Sequence, residues 1–139
     1  MYQLNGGCHC GNISVQVELP SASSTYSPRA CDCDFCVKHG AAYISDPQGA
    51  LRIRIVDERQ RGTYLQGNEI AEMLLCTRCG VLIGALYHSG GNTYATLNAR
   101  TIAGDPIFAP EQTISPKRHS VEEKTERWKR IWFSRVESV

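Results

Sequence analysis

The chain has 139 residues, 42% of them hydrophobic and 21% charged, which suits one domain with a single core and ordinary globular composition. The formal net charge is +1, and the densest basic stretch, Lys124 to Arg130, also contains Glu126 and apolar positions. No charge imbalance therefore points to nucleic acid or an anionic membrane, and no segment is long and apolar enough to span a bilayer.

Met1-Tyr2-Gln3-Leu4-Asn5-Gly6-Gly7 has neither the basic start nor the apolar run of a signal peptide, so a cytoplasmic protein is expected. Next, Ile13, Val15, Val17 and Leu19 alternate with polar residues, the period of a half-buried strand. Ala41 to Ser45 is a short apolar run ended by the turn signal Asp46-Pro47. Leu51, Ile53 and Ile55 alternate with Arg52, Arg54 and Val56. Gly62 to Leu65 and Ile70 to Leu75 predict two strands around Gln66-Gly67-Asn68. Val81 to Tyr87 and Thr93 to Leu97 predict a hairpin around Ser89-Gly90-Gly91-Asn92.

The last segment changes period. Ser120 followed by Glu123 is a capping box. Trp128, Ile131, Trp132 and Val136 then fall at helical spacing, which predicts one amphipathic helix from about Val121 to about Ser138. Packing of this helix on the sheet is the favoured reading. A homodimer contact or a lid over a site is the functional alternative. The expected organisation is a single domain over residues 1–139, with a core over about 2–110 and a helical extension over about 120–138.

The seven cysteines form three groups: Cys8 and Cys10, then Cys31, Cys33 and Cys36, then Cys76 and Cys79. Inert core thiols would not cluster in this way. Disulfides fit poorly, because the count is odd, the expected compartment is reducing, and Cys-x-Cys neighbours are badly placed to bridge each other. A redox Cys-x-x-Cys needs a βαβ setting, and only strands are predicted around these pairs. The spacings of iron–sulfur clusters do not match these groups.

Zinc accounts for the spacing directly, since thiolates two residues apart reach one tetrahedral ion from a tight turn. Cys76-Thr77-Arg78-Cys79-Gly80 has the form of a zinc knuckle, with Gly80 supplying left-handed backbone. Cys31, Cys33 and Cys36 are close enough in the chain to converge on one metal. That leaves Cys8, Cys10, Cys76 and Cys79 for a closed four-sulfur site, which is structural. A three-sulfur site keeps the open position at which zinc does chemistry. Two zinc ions per chain are thus expected. His9 or His39 completing a ligand set is the alternative, and for His39 it would close the second site.

Around the clusters, Asp32 and Asp34 are read as turn residues facing solvent, because carboxylates beside three thiolates are unfavourable. Lys38 and Arg78 are better placed to offset thiolate charge, although ordinary surface charge is the favoured reading of both. Tyr43, Tyr87 and Tyr94 are read as strand packing.

Gly6-Gly7-Cys8-His9-Cys10-Gly11, Cys31-Asp32-Cys33-Asp34-Phe35-Cys36 and Cys76-Thr77-Arg78-Cys79-Gly80 together resemble the glutathione-dependent formaldehyde-activating enzyme family, also called the centromere-protein-V-type domain. The resemblance implies a zinc-stapled, mainly β fold, the β-tent, here with a C-terminal helix. It implies structural zinc on Cys8, Cys10, Cys76 and Cys79, and catalytic zinc on Cys31, Cys33 and Cys36. It also implies carbon–sulfur lyase chemistry, in which glutathione or a similar small thiol and formaldehyde or another small aldehyde combine. A non-catalytic zinc module that binds a thiol or a protein partner is the competing reading.

Overall fold

The alternation in Ile13–Leu19 becomes a strand in which each odd-numbered residue is buried and each even-numbered one is exposed. The same pattern in Ala50–Ile55 makes a second strand, and the two pair antiparallel with Val15 opposite Ile53 and Val17 opposite Leu51. This computed structural model describes residues 1–138.

In chain order the strands are β1 (Tyr2–Gly7), β2 (Ile13–Leu19), β3 (Arg29–Cys31), β4 (Tyr43–Ile44), β5 (Ala50–Ile55) and β6 (Arg61–Leu65). They continue with β7 (Glu72–Cys76), β8 (Leu82–Ser89), β9 (Asn92–Asn98), β10 (Gln112–Ile114) and β11 (Val136–Ser138). Two α-helices, α1 (Asp34–His39) and α2 (Val121–Ile131), interrupt them. One sheet has the order β1-β2-β5-β11 and the other β10-β3-β4-β9-β8-β7-β6. The protein is thus mainly β with a C-terminal helix. Among the described residues, no helix is long and apolar enough to cross a membrane.

The larger sheet is apolar on both faces. Leu74 and Ile83 join the main core with Val15, Val17, Leu51 and Phe133. Their chain neighbours Met73 and Leu82 face the other way, into a smaller cluster with Cys36, Tyr43 and Trp132. Burial on both faces explains the nearly unbroken apolar run in β8. Gly84 within it has a steric reason, because a Cβ there would lie 2.2 Å from the Thr96 carbonyl oxygen.

The C-terminal helix is shorter than predicted. Its capping box is present, with the Ser120 hydroxyl accepting from the Glu123 N–H and the Glu123 carboxylate accepting from the Ser120 N–H. It stops at Ile131, however, and residues 136–138 form β11, parallel to β5. The cause is tertiary. Trp132 and Phe133 are consecutive, yet one enters the smaller cluster and the other the main core. Phe133 also exchanges backbone hydrogen bonds with Ala95 of β9, at 3.0 and 2.9 Å. A continuing helix could not satisfy both sides, so sheet pairing wins over periodicity. A second departure is α1, which carries Cys36 on a helix where only strands were predicted.

Candidate metal centres

Two tight turns build the first group. Cys8 and Cys10 lie in the connection between β1 and β2, while Cys76 ends β7 and Cys79 sits in the turn to β8. Gly80 adopts φ +82°, the left-handed backbone expected of the knuckle, and its N–H donates to the Cys76 carbonyl at 2.7 Å. The four sulfurs lie within 4.8 Å of one another. Cys8 Sγ is 3.7 Å from Cys10 Sγ, and Cys10 Sγ is 3.6 Å from Cys76 Sγ. A tetrahedral zinc–thiolate site has sulfur–sulfur edges of about 3.8 Å, given bonds of about 2.3 Å. The donor set therefore fits zinc in number, chemistry and spacing.

The backbone also favours anionic sulfur here. The Ile13 N–H donates to Cys8 Sγ at 3.2 Å. Burial pushes the Cys79 thiol up, but the N–H groups of Val81 and Cys10 and the neighbouring thiols hold it down at about 6. Cys10 behaves oppositely. The Asn12 backbone favours its thiolate, yet burial and the adjacent sulfurs push it up to about 11. Without a metal, one thiolate is thus stabilised by thiols around it.

The second group sits where β3 runs into α1. Cys31 ends the strand, Cys33 caps the helix by accepting the Cys36 N–H at 3.4 Å, and Cys36 lies one turn in and is buried. Their sulfurs again lie within 4.8 Å of one another. The Tyr43 hydroxyl is 3.1 Å from Cys36 Sγ. A hydrogen bond from the Cys36 thiol holds Cys31 down at about 6 against the effect of burial. Cys36, the donor, is pushed up in return, and its burial adds to this. Burial pushes Cys33 up as well, and Tyr43 is raised first by burial and then by Cys36.

Among the described residues, both close-lying groups consist of cysteines alone. His9 is exposed, and the His39 ring packs on Phe35 at 4.7 Å between centroids. Neither histidine supplies a fourth ligand to the second group.

The three sulfurs open onto a cavity of about 180 Å³. Met73, Trp128 and Trp132 form apolar parts of its wall. Trp128 and Trp132 stack at 4.7 Å, and Tyr87 meets Trp128 edge-on at 5.4 Å. The helix α2 therefore packs on the sheet and walls the cavity with the same residues. Tyr87 and Tyr94 pack against each other at 6.2 Å behind it, as strand tyrosines should.

Lys38 and Arg78 lie where ordinary surface charge would, exposed and absent from the cavity wall. Its cations are Arg29, Lys117, Lys124 and Arg127. Arg29 is largely buried and donates to the Ser45 and Thr96 hydroxyls at 2.6 and 3.2 Å. Burial, followed by the charge of Arg127, lowers it to about 10. Arg29 lies two residues before Cys31 on the same face of β3, a placement legible only once that segment is known to be a strand. Asp34 is exposed, as expected of a residue facing solvent. Asp32 is only partly exposed. Its carboxylate accepts from Ser115 and lies 4.0 Å from Lys117, and its Oδ1 is buried without a partner. It clips the segment leading to α2 against the three-cysteine turn.

A family profile described as glutathione-dependent formaldehyde-activating enzyme matches residues 3–120. The crystal structure of a Rhodobacter sphaeroides protein is similar, with 25% identity and a TM-score of 0.57, covering 76% of this chain and 99% of that one. No curated protein matches the chain.

Proposed function

The chain belongs to the glutathione-dependent formaldehyde-activating enzyme family, and from that premise we propose that it is a zinc-dependent carbon–sulfur lyase joining a glutathione-like thiol to formaldehyde or another small aldehyde. One observation carries this reading: Cys31, Cys33 and Cys36 converge on a cavity with no fourth ligand, while the other four cysteines form a complete set. Cys8, Cys10, Cys76 and Cys79 are assigned a structural zinc, and the open trio a catalytic one. In the reaction the thiol loses its proton, its sulfur bonds to the aldehyde carbon, and the carbonyl oxygen takes up a proton to become hydroxyl. Zinc at the open site would supply the charge that keeps a thiol sulfur deprotonated at neutral pH.

The rest is done by the chain. The Tyr43 hydroxyl, 3.1 Å from Cys36 Sγ, would orient Cys36 by donating to its sulfur once that sulfur is a thiolate. Arg29 and Arg127 place positive charge beside the thiolates. Trp128 and Trp132 exclude water from the cavity and so strengthen these interactions.

Exchange NMR on glutathione mixed with formaldehyde tests the reading. Zinc-loaded protein should speed interconversion of free thiol and adduct, and Cys33→Ser should abolish the gain while the fold survives. Unchanged exchange with fully loaded protein would sink the enzymatic reading and favour a non-catalytic thiol-binding module.

A further inference from the structure

The helix α2 begins at Val121, outside the residues that the family profile matches. Yet it supplies Lys124, Arg127 and Trp128, together with its C-cap residue Trp132, to the wall of the three-cysteine cavity. Part of this binding surface therefore belongs to a segment that the family pattern does not describe. Its chemistry is distinctive. Four cations line the cavity and no carboxylate does. Among the described residues, Arg29 and Arg127 have no acidic partner within salt-bridge distance. Arg29 is held by neutral hydroxyls, and Lys124 donates to the neutral Asn68 side-chain oxygen at 2.9 Å. These guanidinium groups have the cysteine thiolates as their nearest negative charge and no carboxylate partner, and guanidinium is the group best shaped to take a carboxylate by two parallel hydrogen bonds.

We propose that α2 is a specificity element of this chain, in which Arg127 together with Arg29 takes a carboxylate of the thiol ligand, so that the cavity selects thiols bearing an anionic group over neutral ones. This rests on the reading of the trio as a thiol site and adds what the rest of the ligand must carry. Trp128 and Trp132 pack on the ligand's apolar stem, and they are the only tryptophans in the sequence. Their fluorescence thus reports occupancy directly, without any turnover.

The test uses the zinc-loaded full chain titrated with glutathione, glutathione diethyl ester and S-methylglutathione, with tryptophan fluorescence as the readout. The ester should bind about tenfold more weakly than the acid, the scale of one charge-assisted contact at a partly exposed site. Arg127→Gln should weaken glutathione about tenfold, leave the ester unchanged, and so erase the preference. Arg127→Lys should recover part of it. S-methylglutathione keeps both carboxylates but has no free thiol, and its binding should show the same dependence on Arg127. That arm separates the two readings: it survives if the exchange assay finds no catalysis. Equal binding of acid and ester, no effect of Arg127→Gln, or no binding of any of the three would overturn the proposal. Should Arg127→Gln fail to fold, as circular dichroism would show, the comparison of acid with ester on the unaltered chain decides, and equal binding overturns the proposal.

Discussion

Consider a chain in which Cys8 and Cys10 are both replaced by serine. Both are only half-buried, so the exchange frees one arm of the four-cysteine group without opening the core. What is lost is a tie between residues 66 apart, from Cys10 to Cys76. Treating the tie as a cross-link, the entropy of closing such a loop corresponds to about 4 kcal/mol of stability. The parallel variant, Cys31→Ser with Cys33→Ser, frees two half-buried cysteines of the trio. That trio spans six residues from Cys31 to Cys36, and the same relation yields only about 2 kcal/mol. Two thiolate ligands are lost in each case, so the metal–sulfur contribution largely cancels in the comparison. With a urea slope near ~2 kcal/mol per molar for a domain of this size, the midpoint should fall by roughly 2 M in the first variant and roughly 1 M in the second. Each should also lose one equivalent of zinc by mass spectrometry under native conditions. Equal midpoint shifts would refute the division into a long-range staple and a local functional site.

Two further outcomes follow from single contacts. Tyr43→Phe removes the hydroxyl that meets Cys36 Sγ, and should lower zinc affinity at the trio by about 10–100-fold while sparing the four-cysteine group, as measured by chelator competition. Ser120→Ala removes the N-cap of α2 and should cost about 1 kcal/mol in urea unfolding. Because α2 walls the cavity, the same change should raise the KM for the thiol more than it lowers kcat.

Most of the sheet could be read from the sequence, because half-buried strands such as β2 and β5 print their burial directly as alternation. The cysteine grouping was legible for a similar reason, since thiols two residues apart in turns meet whatever the rest of the fold does. Three-residue strands such as β3 and β10 leave too few positions to show a period, and they form because long-range pairing holds them. The segment after Ile131 was misread because Val136 satisfies a helical period and a strand equally well. Only the pull of Phe133 into the opposite core decides between them. The cations of the cavity were missed for a related reason. Arg29 and Arg127 are distant in sequence, and nothing local marks either of them as facing the cysteines.

The path of the chain after α2 also bears on how the protein is made. Phe133 joins β9 in one sheet, and β11 then closes the edge of the other beside β5. The wall of the cavity is thus anchored by a segment that leaves the ribosome after the strands it docks on. The four-cysteine group needs only residues up to Cys79, so its sulfurs can come together during translation. A nascent chain can therefore assemble its four-cysteine group first, and it gains the α2 wall of the cavity only once residues 121–138 are free to dock.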